Sequence, residues 1–452
     1  MHEAVSKSGD STLFAEMRTL LRKIFFDALA ASTVERAFEQ HLDAHRGVLR
    51  VKDDVYDLRS YSRVFAIALG KASLPMAEAL HRQLGSSVTG IVIQPESFAD
   101  QPMLHGFTHF NGGHPTPSPG SLKAAQAVLK SLGAQADDAL ILYLLSGGGS
   151  ALMEKPLDDE LTLDDLIATH RALVHCGAPI GKMNAIRKHL SAVKGGRLAL
   201  AASEGGARQQ VSIMVSDVPD STPDALASGP TMPDPTTVEE CYAIAKEFQL
   251  LTRLPSAVRE LFEHEALQET PKYEDGTFHT SRWWTILSNP SLEEAAKGAA
   301  EQAGFNVAID NSCDDWDYAR AADYLLNRLR ELHSQGRRTC LISGGEVTVK
   351  VPHDASGVGG RNQHFALYAA SRIANQDIAV LSGGSDGVDG NSSAAGAIAD
   401  GSSRLRAQQA GADLNQSLAN FDSFSLFERL SDGIITGPTG NNIRDLRILL
   451  AW

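Results

Sequence analysis

Ala139-Leu-Ile-Leu-Tyr-Leu-Leu-Ser-Gly-Gly-Gly-Ser150 is a strand-length apolar run that breaks abruptly into serine and glycine. An apolar stretch without polar alternation suits a strand covered on both faces, as in a parallel sheet flanked by helices. Related runs end alike at Leu341–Glu346 (LISGGE) and Leu381–Gly387 (LSGGSDG), and a fourth ends in Ser216–Asp220 (SDVPD). Open α/β sheets bind ligands beyond the carboxyl ends of their strands, where the chain turns toward the next helix. Small Ser and Gly residues there let backbone N–H groups approach an anion closely. One such turn needs no more than tight geometry to explain it. Three of them, two followed at once by an acidic residue, point to a shared binding edge.

Outward from this run, Arg63–Leu69, Gly90–Gln94 and Val211–Val215 read as further strands, and Ala72–Leu84 and Ser121–Leu132 carry helical spacing. Gly229–Thr237 (GPTMPDPTT) reads as a proline-rich connector. A helical, mixed-charge stretch follows to about Thr270, then strands at Trp283–Leu287, Thr339–Ile342, Val347–Val351 and Ile378–Leu381. The alternation predicts an α/β protein with a largely parallel sheet, divided into domains 1–237 and 238–452. No regular repeat supports a solenoid or propeller.

A chain of 452 residues, 43% hydrophobic and 21% charged, is neither disordered nor fibrous in composition. With 41 basic and 55 acidic residues its net charge is −14, which disfavours nucleic acid and anionic membranes as partners. No apolar run approaches the roughly 18 residues that span a bilayer. Met1–Thr12 reads as a loose polar tail without a secretory signal. The 4 cysteines are dispersed and form no C-x-x-C pair, which argues against a disulfide framework or zinc site and suits a reducing cytoplasm.

Positive charge is concentrated. Leu166–Ser203 holds no Asp or Glu, yet contains Lys182, Arg187, Lys188, Lys194 and Arg197. Asn184, Arg187, Ser191 and Lys194 are spaced to share a helical face that could hold a phosphate or carboxylate. A solvated basic helix or an oligomer contact fits the same pattern, so a homodimer stays open. Gly177–Met183 (GAPIGKM) misses the P-loop by one residue of spacing and by Met in place of Ser/Thr. Gly147-x-Gly149-x-x-Leu152 lacks the third glycine of a dinucleotide fingerprint. Lys71 follows an apolar strand directly, and Gly357-Val-Gly-Gly-Arg-Asn-Gln363 presents the Arg361 guanidinium from a flexible backbone. His114, between glycine and proline, is either a turn residue or a substrate contact.

Together ALGKAS (Ala68–Ser73), GGHPTPSPGS (Gly112–Ser121), LLSGGGSALMEKP (Leu144–Pro156), KMNAIRKHLSAVKGGRLA (Lys182–Ala199) and SDVPD…ASGPT (Ser216–Thr231) resemble the N-terminal part of the class II glycerate 2-kinases. SGGEVTV (Ser343–Val349), GGRNQ (Gly359–Gln363), GGSDGVDG (Gly383–Gly390) and TGPTGNNIRDL (Thr436–Leu446) resemble their C-terminal MOFRL region. The resemblance spans Phe14 to Leu450 and implies two domains, the first Rossmann-like with a mostly parallel sheet, the second an α/β MOFRL domain. It implies transfer of a phosphoryl group from ATP, with Mg²⁺, to the 2-hydroxyl of D-glycerate, in a cleft between the domains. Lys71 and Arg361 match the family's prominent cations. The turn Ser146, Gly147, Gly148, Gly149, Ser150, with Asn184, Arg187 and Lys194, is expected to bind substrate. Asp386 and Asp389 are the expected magnesium ligands, and Asp217 (or Asp220) the carboxylate that orients or deprotonates the acceptor hydroxyl. For each aspartate a turn or a helix cap is the alternative. Two rival readings are an NADPH-dependent hydroxypyruvate reductase and a non-catalytic sugar-phosphate sensor.

Overall fold

The computed structural model describes residues 2–134, 138–336, 338–353 and 355–452, with side chains from Thr12 onward. It divides into two compact units, Val34–Leu287 and Met1–Thr33 with Ser288–Trp452. This differs from the expected division at Thr237, for three physical reasons. The helices Val238–Glu247 and Ser256–Glu263 pack with Leu163–His175 and Ile180–Leu190 around one apolar cluster that includes Leu173, Ile186, Ile244 and Phe262. The strand Ser281–Leu287 completes the first sheet. A helix over His2–Ala31, beginning where a polar tail was expected, packs on Asn289–Gln302, and its Arg18 pairs with Asp400.

In Val34–Leu287 the sheet comprises β1 (Val64–Leu69), β2 (Val88–Pro95), β3 (Phe107–Gly112), β4 (Ala139–Ser146), β5 (Ala207–Val215) and β6 (Ser281–Leu287). All pairs are parallel, in the order β3-β2-β1-β4-β5-β6. β1 and β4 are buried along their whole length, which is why they read as unbroken apolar runs. They are in register from Val64↔Leu140 to Leu69↔Leu145. Helices α1 (Ser73–Leu84) and α2 (Pro119–Leu132) cross back over the sheet, the latter fixed by a Ser118–Ser121 capping box and Pro at its first position. Each fully buried aliphatic side chain of β4 contributes about 1.5–3 kcal/mol, so Ile141→Ala alone should cost about 2–5 kcal/mol. The order reverses between β1 and β4, and the carboxyl ends of both strands open onto that split.

The second sheet is mixed. It holds β7 (Asn306–Ile309), β8 (Thr339–Ser343), β9 (Ile378–Gly384), β10 (Gly396–Asp400), β11 (Gly433–Ile434) and β12 (Asp445–Ala451), ordered β7-β8-β12-β9-β10-β11. Only β7 and β8 are parallel. The C-terminal β12, buried throughout, inserts antiparallel between β8 and β9. Its first residue therefore lies at the same edge as the turns that end those two strands. The strand expected at Val347–Val351 does not form, and only Thr348 bridges Asp317. Both edges of β8 are already taken, by β7 and β12, so a hairpin partner has no place to add.

Candidate active site

Each unit gathers its expected site residues at one sheet edge. In the first unit the turns after β1 and β4 are stitched together. Lys71 N–H donates to Gly147 O at 2.9 Å, and Ala72 N–H to Ser146 Oγ at 3.0 Å. Gly148 has φ +82°, a conformation that leads the short helix Gly149–Leu152 out of the turn and favours glycine. A Cβ on Gly148 would lie 3.2 Å from both Lys71 Cγ and His114 Cδ2, so these two side chains cover the turn. Lys71 is exposed. Burial, and then the Lys71 charge, hold the His114 imidazole below its usual range, so it is neutral at pH 7. Asp217, just past β5, lies against the Cα of Gly147. A side chain there would collide with the Asp217 carboxylate.

The basic stripe is built differently from the expectation. The helix α3 (Ile180–Leu190) stops before Ser191, whose extended backbone bridges Pro156. Only Asn184 and Arg187 therefore share its face. Acids from distant segments neutralise most of the stripe: Lys182 pairs with Glu247 at 2.6 Å, and Lys188 with Asp224 and Asp234 at 2.8 and 3.2 Å. Lys194 is buried on Glu154, which also accepts from Ser191 Oγ at 2.5 Å. Burial pushes the Lys194 ammonium down to about 8, against the opposing pull of Glu154. Lys194 is thus a buried partner of Glu154 and not an open anion contact.

Arg197 donates to the Gln268 and Glu269 carbonyls, and Arg187 to two side chains. The Arg187 Nη2 donates to Ser150 Oγ at 2.6 Å and its Nη1 to Asn184 Oδ1 at 3.2 Å, both neutral acceptors. Ser150 Oγ also lies 2.8 Å from Ser228 Oγ. Desolvation lowers the Arg187 pKa, with Glu154 opposing. A half-buried guanidinium held by neutral groups beside a Ser-Gly turn is suited to a small carboxylate or phosphate.

In the second unit Arg361 begins α4 (Arg361–Arg372). Its Nε and Nη2 grip Asp445 at 2.6 and 3.0 Å, and Nη2 reaches Glu346 Oε1 at 2.8 Å. Burial alone would lower its pKa, but the two carboxylates raise it well above the usual value. Arg361, expected to contact an anion, is thus already paired with two carboxylates.

Asp389 is also placed differently from the expectation. Its Oδ1 accepts the N–H of Asn362 at 3.0 Å and its Oδ2 the N–H of Gln363 at 2.8 Å, while both side-chain amides add further bonds. It caps α4, and burial pushes its carboxyl up to about 6. Asp386 accepts from Val388 N–H at 3.1 Å and flanks Gly384 together with Asp445. Arg444 also acts on Glu346, and the buried Arg447 on Asp445, so Arg361 shares these carboxylates with two further guanidinium groups. Among the described residues no group of three His, Cys, Asp or Glu could enclose a metal. Mg²⁺ does not require one, since it commonly uses one or two carboxylates plus waters and phosphate oxygens. Asp386 with Asp445 fits that demand. A cavity of about 710 Å³ adjoins Arg361 and Asp386.

Sequence reading missed Glu154, Ser228 and Asp445 as partners. Glu154 and Ser228 fell inside motifs quoted for other residues, and Asp445 begins a strand that local pattern did not reveal. No helix among the described residues is long and apolar enough to cross a membrane.

Comparison with known proteins gives two family matches: "Domain of unknown function (DUF4147)" over residues 20–263 and the "MOFRL family" over residues 339–445. A D-glycerate 2-kinase of Thermotoga maritima is 34% identical, covering 85% of this chain and 90% of the relative. A relative from Agrobacterium vitis, provisionally named hydroxypyruvate reductase, is 32% identical over 96% of this chain and 94% of its own. The crystal structure of a glycerate kinase from Thermotoga maritima matches with a TM-score of 0.83 at 31% identity, covering 97% of this chain and 100% of that one.

Proposed function

The chain belongs to the glycerate kinase family that carries these two regions, and from that premise we propose that it transfers a phosphoryl group from ATP to the 2-hydroxyl of D-glycerate. The observation that carries the assignment of roles is Arg187, a guanidinium bonded to neutral Asn184 and Ser150 at the strand-order reversal. The glycerate carboxylate binds Arg187 and the adjoining Ser150 and Ser228 hydroxyls. Asp217, against Gly147, orients the 2-hydroxyl and takes its proton. Lys71 and the amides of Ser146–Ser150 cancel charge on the transferring phosphoryl group. Phosphoryl transfer asks for little more than positioning and charge cancellation. In the second unit Arg361 Nη1 faces the nucleotide phosphates, held in place by Asp445 and Glu346. Asp386 and Asp445 would hold Mg²⁺, which would supply charge neutralisation at the phosphate oxygens.

ADP release on adding D-glycerate, ATP and Mg²⁺ to the full chain is the test, set beside NADPH oxidation with hydroxypyruvate. ADP formation dependent on glycerate is expected. NADPH oxidation without ADP release would replace the kinase reading with a reductase.

A further inference from the structure

The cavity beside Arg361 has walls that glycerate cannot use. Glycerate carries oxygen on every carbon and has no apolar face, whereas Val349, Val351 and Val388 line this space, the last two as exposed large hydrophobics. His364 and Phe421 also line it, their rings stacked 4.9 Å apart at 6°. Ser423 and His364 are only 1% and 3% exposed, yet Ser423 Oγ and His364 Nε2 have no hydrogen-bond partner among the described residues. Buried polar groups without partners are uncommon, and a ligand with matching donors and acceptors recovers what they lose. A space of about 710 Å³ is also of the size that encloses a ligand much larger than a hydroxy acid.

We propose that this cavity takes the purine base of the nucleotide, its flat faces against the valines and its edge within reach of Ser423 and His364. Arg361, at the wall, then points toward the phosphates, and the unit containing Ser288–Trp452 is the nucleotide-binding one. This deepens the kinase reading above and rests on it for the identity of the nucleotide.

The test uses the full chain with Val388→Trp, which fills the cavity from an exposed position, and Ser423→Ala. Calorimetric titration with ADP alone and steady-state kinetics are both read, with circular dichroism checking the fold. Val388→Trp should weaken ADP binding and raise KM for ATP by about tenfold or more, leaving KM for D-glycerate within about twofold. Ser423→Ala should reduce the preference for ATP over other nucleoside triphosphates. Unchanged ADP binding by a folded Val388→Trp protein, or a rise confined to KM for glycerate, overturns the proposal. Wild-type protein that binds ADP in this cavity but phosphorylates nothing defeats the kinase reading and leaves the base site standing. Normal turnover with ADP binding indifferent to both substitutions defeats the base site alone.

Discussion

Gly147→Ala isolates Asp217 without touching it. Gly147 does not have a left-handed φ, so alanine costs the backbone little there. The added methyl would overlap Asp217 Oδ2 and sit 2.6 Å from its Cγ, whereas ordinary contacts fall at 3.4–4 Å. The carboxylate must therefore retreat by at least about 1 Å, and a displacement of that size at a reacting group costs on the order of 10²-fold in rate. That corresponds to about 2.7 kcal/mol of transition-state stabilisation. Steady-state kinetics with D-glycerate and ATP should show the loss mainly in kcat, since Arg187, Ser150 and the cavity beside Arg361 are untouched. The melting temperature should fall by only a few degrees, because the displacement is confined to one side chain outside the apolar core. If kcat stays within about threefold of wild type while the protein is folded, Asp217 has no part in the chemistry.

Arg187→Lys removes the fork that holds Asn184 and Ser150, and KM for glycerate should rise about 10–100-fold, the worth of one or two charge-assisted bonds; steady-state kinetics would show whether KM for ATP stays unchanged. Glu154→Gln leaves the Lys194 ammonium buried without its counter-charge, so urea unfolding at pH 7 should show a loss of about 3–5 kcal/mol. His364 is held by burial at about 4, below the usual 6.5. The unfolded chain then takes up a proton that the folded chain refuses, so stability is intact above 6.5 and lost as pH falls toward 4. His364→Phe abolishes that loss, and in urea melts the variant should gain on wild type between pH 7 and 4.5. Asp389, raised to about 6, acts with the opposite sign in an overlapping window, which makes the difference between the two proteins the informative quantity.

The first sheet was legible in the sequence because β1 and β4 are buried on both faces, which leaves a local signature of unbroken apolar residues. The turn after β4 was legible for the same reason, as a sudden change in composition. The second sheet was not. β12, Asp445–Ala451, enters between strands whose paired residues lie about 60 to 110 positions upstream, and no local period announces such a pairing. Asp445 was missed with it, and with Asp445 the reason Arg361 is held so firmly. The basic stretch misled in a related way. Its own residues hold no acid, but Glu154, Asp224, Asp234 and Glu247 reach it from outside, and only three-dimensional contact reveals that Arg187 is held by the neutral side chains of Asn184 and Ser150. Asp389 carried equal arguments for metal ligand and helix cap, and four N–H donors at its oxygens favour the cap.

The most direct trial of the account is the product of the reaction. Purified chain with D-glycerate, ATP and Mg²⁺ is coupled to enolase with no phosphoglycerate mutase present, and phosphoenolpyruvate is followed. The proposed placement of the carboxylate at Arg187 and of the adjacent hydroxyl at Asp217 predicts phosphorylation at position 2, so phosphoenolpyruvate should accumulate at the rate of ADP release. ADP release with no phosphoenolpyruvate until a mutase is added would place the phosphate on the other hydroxyl and contradict that geometry.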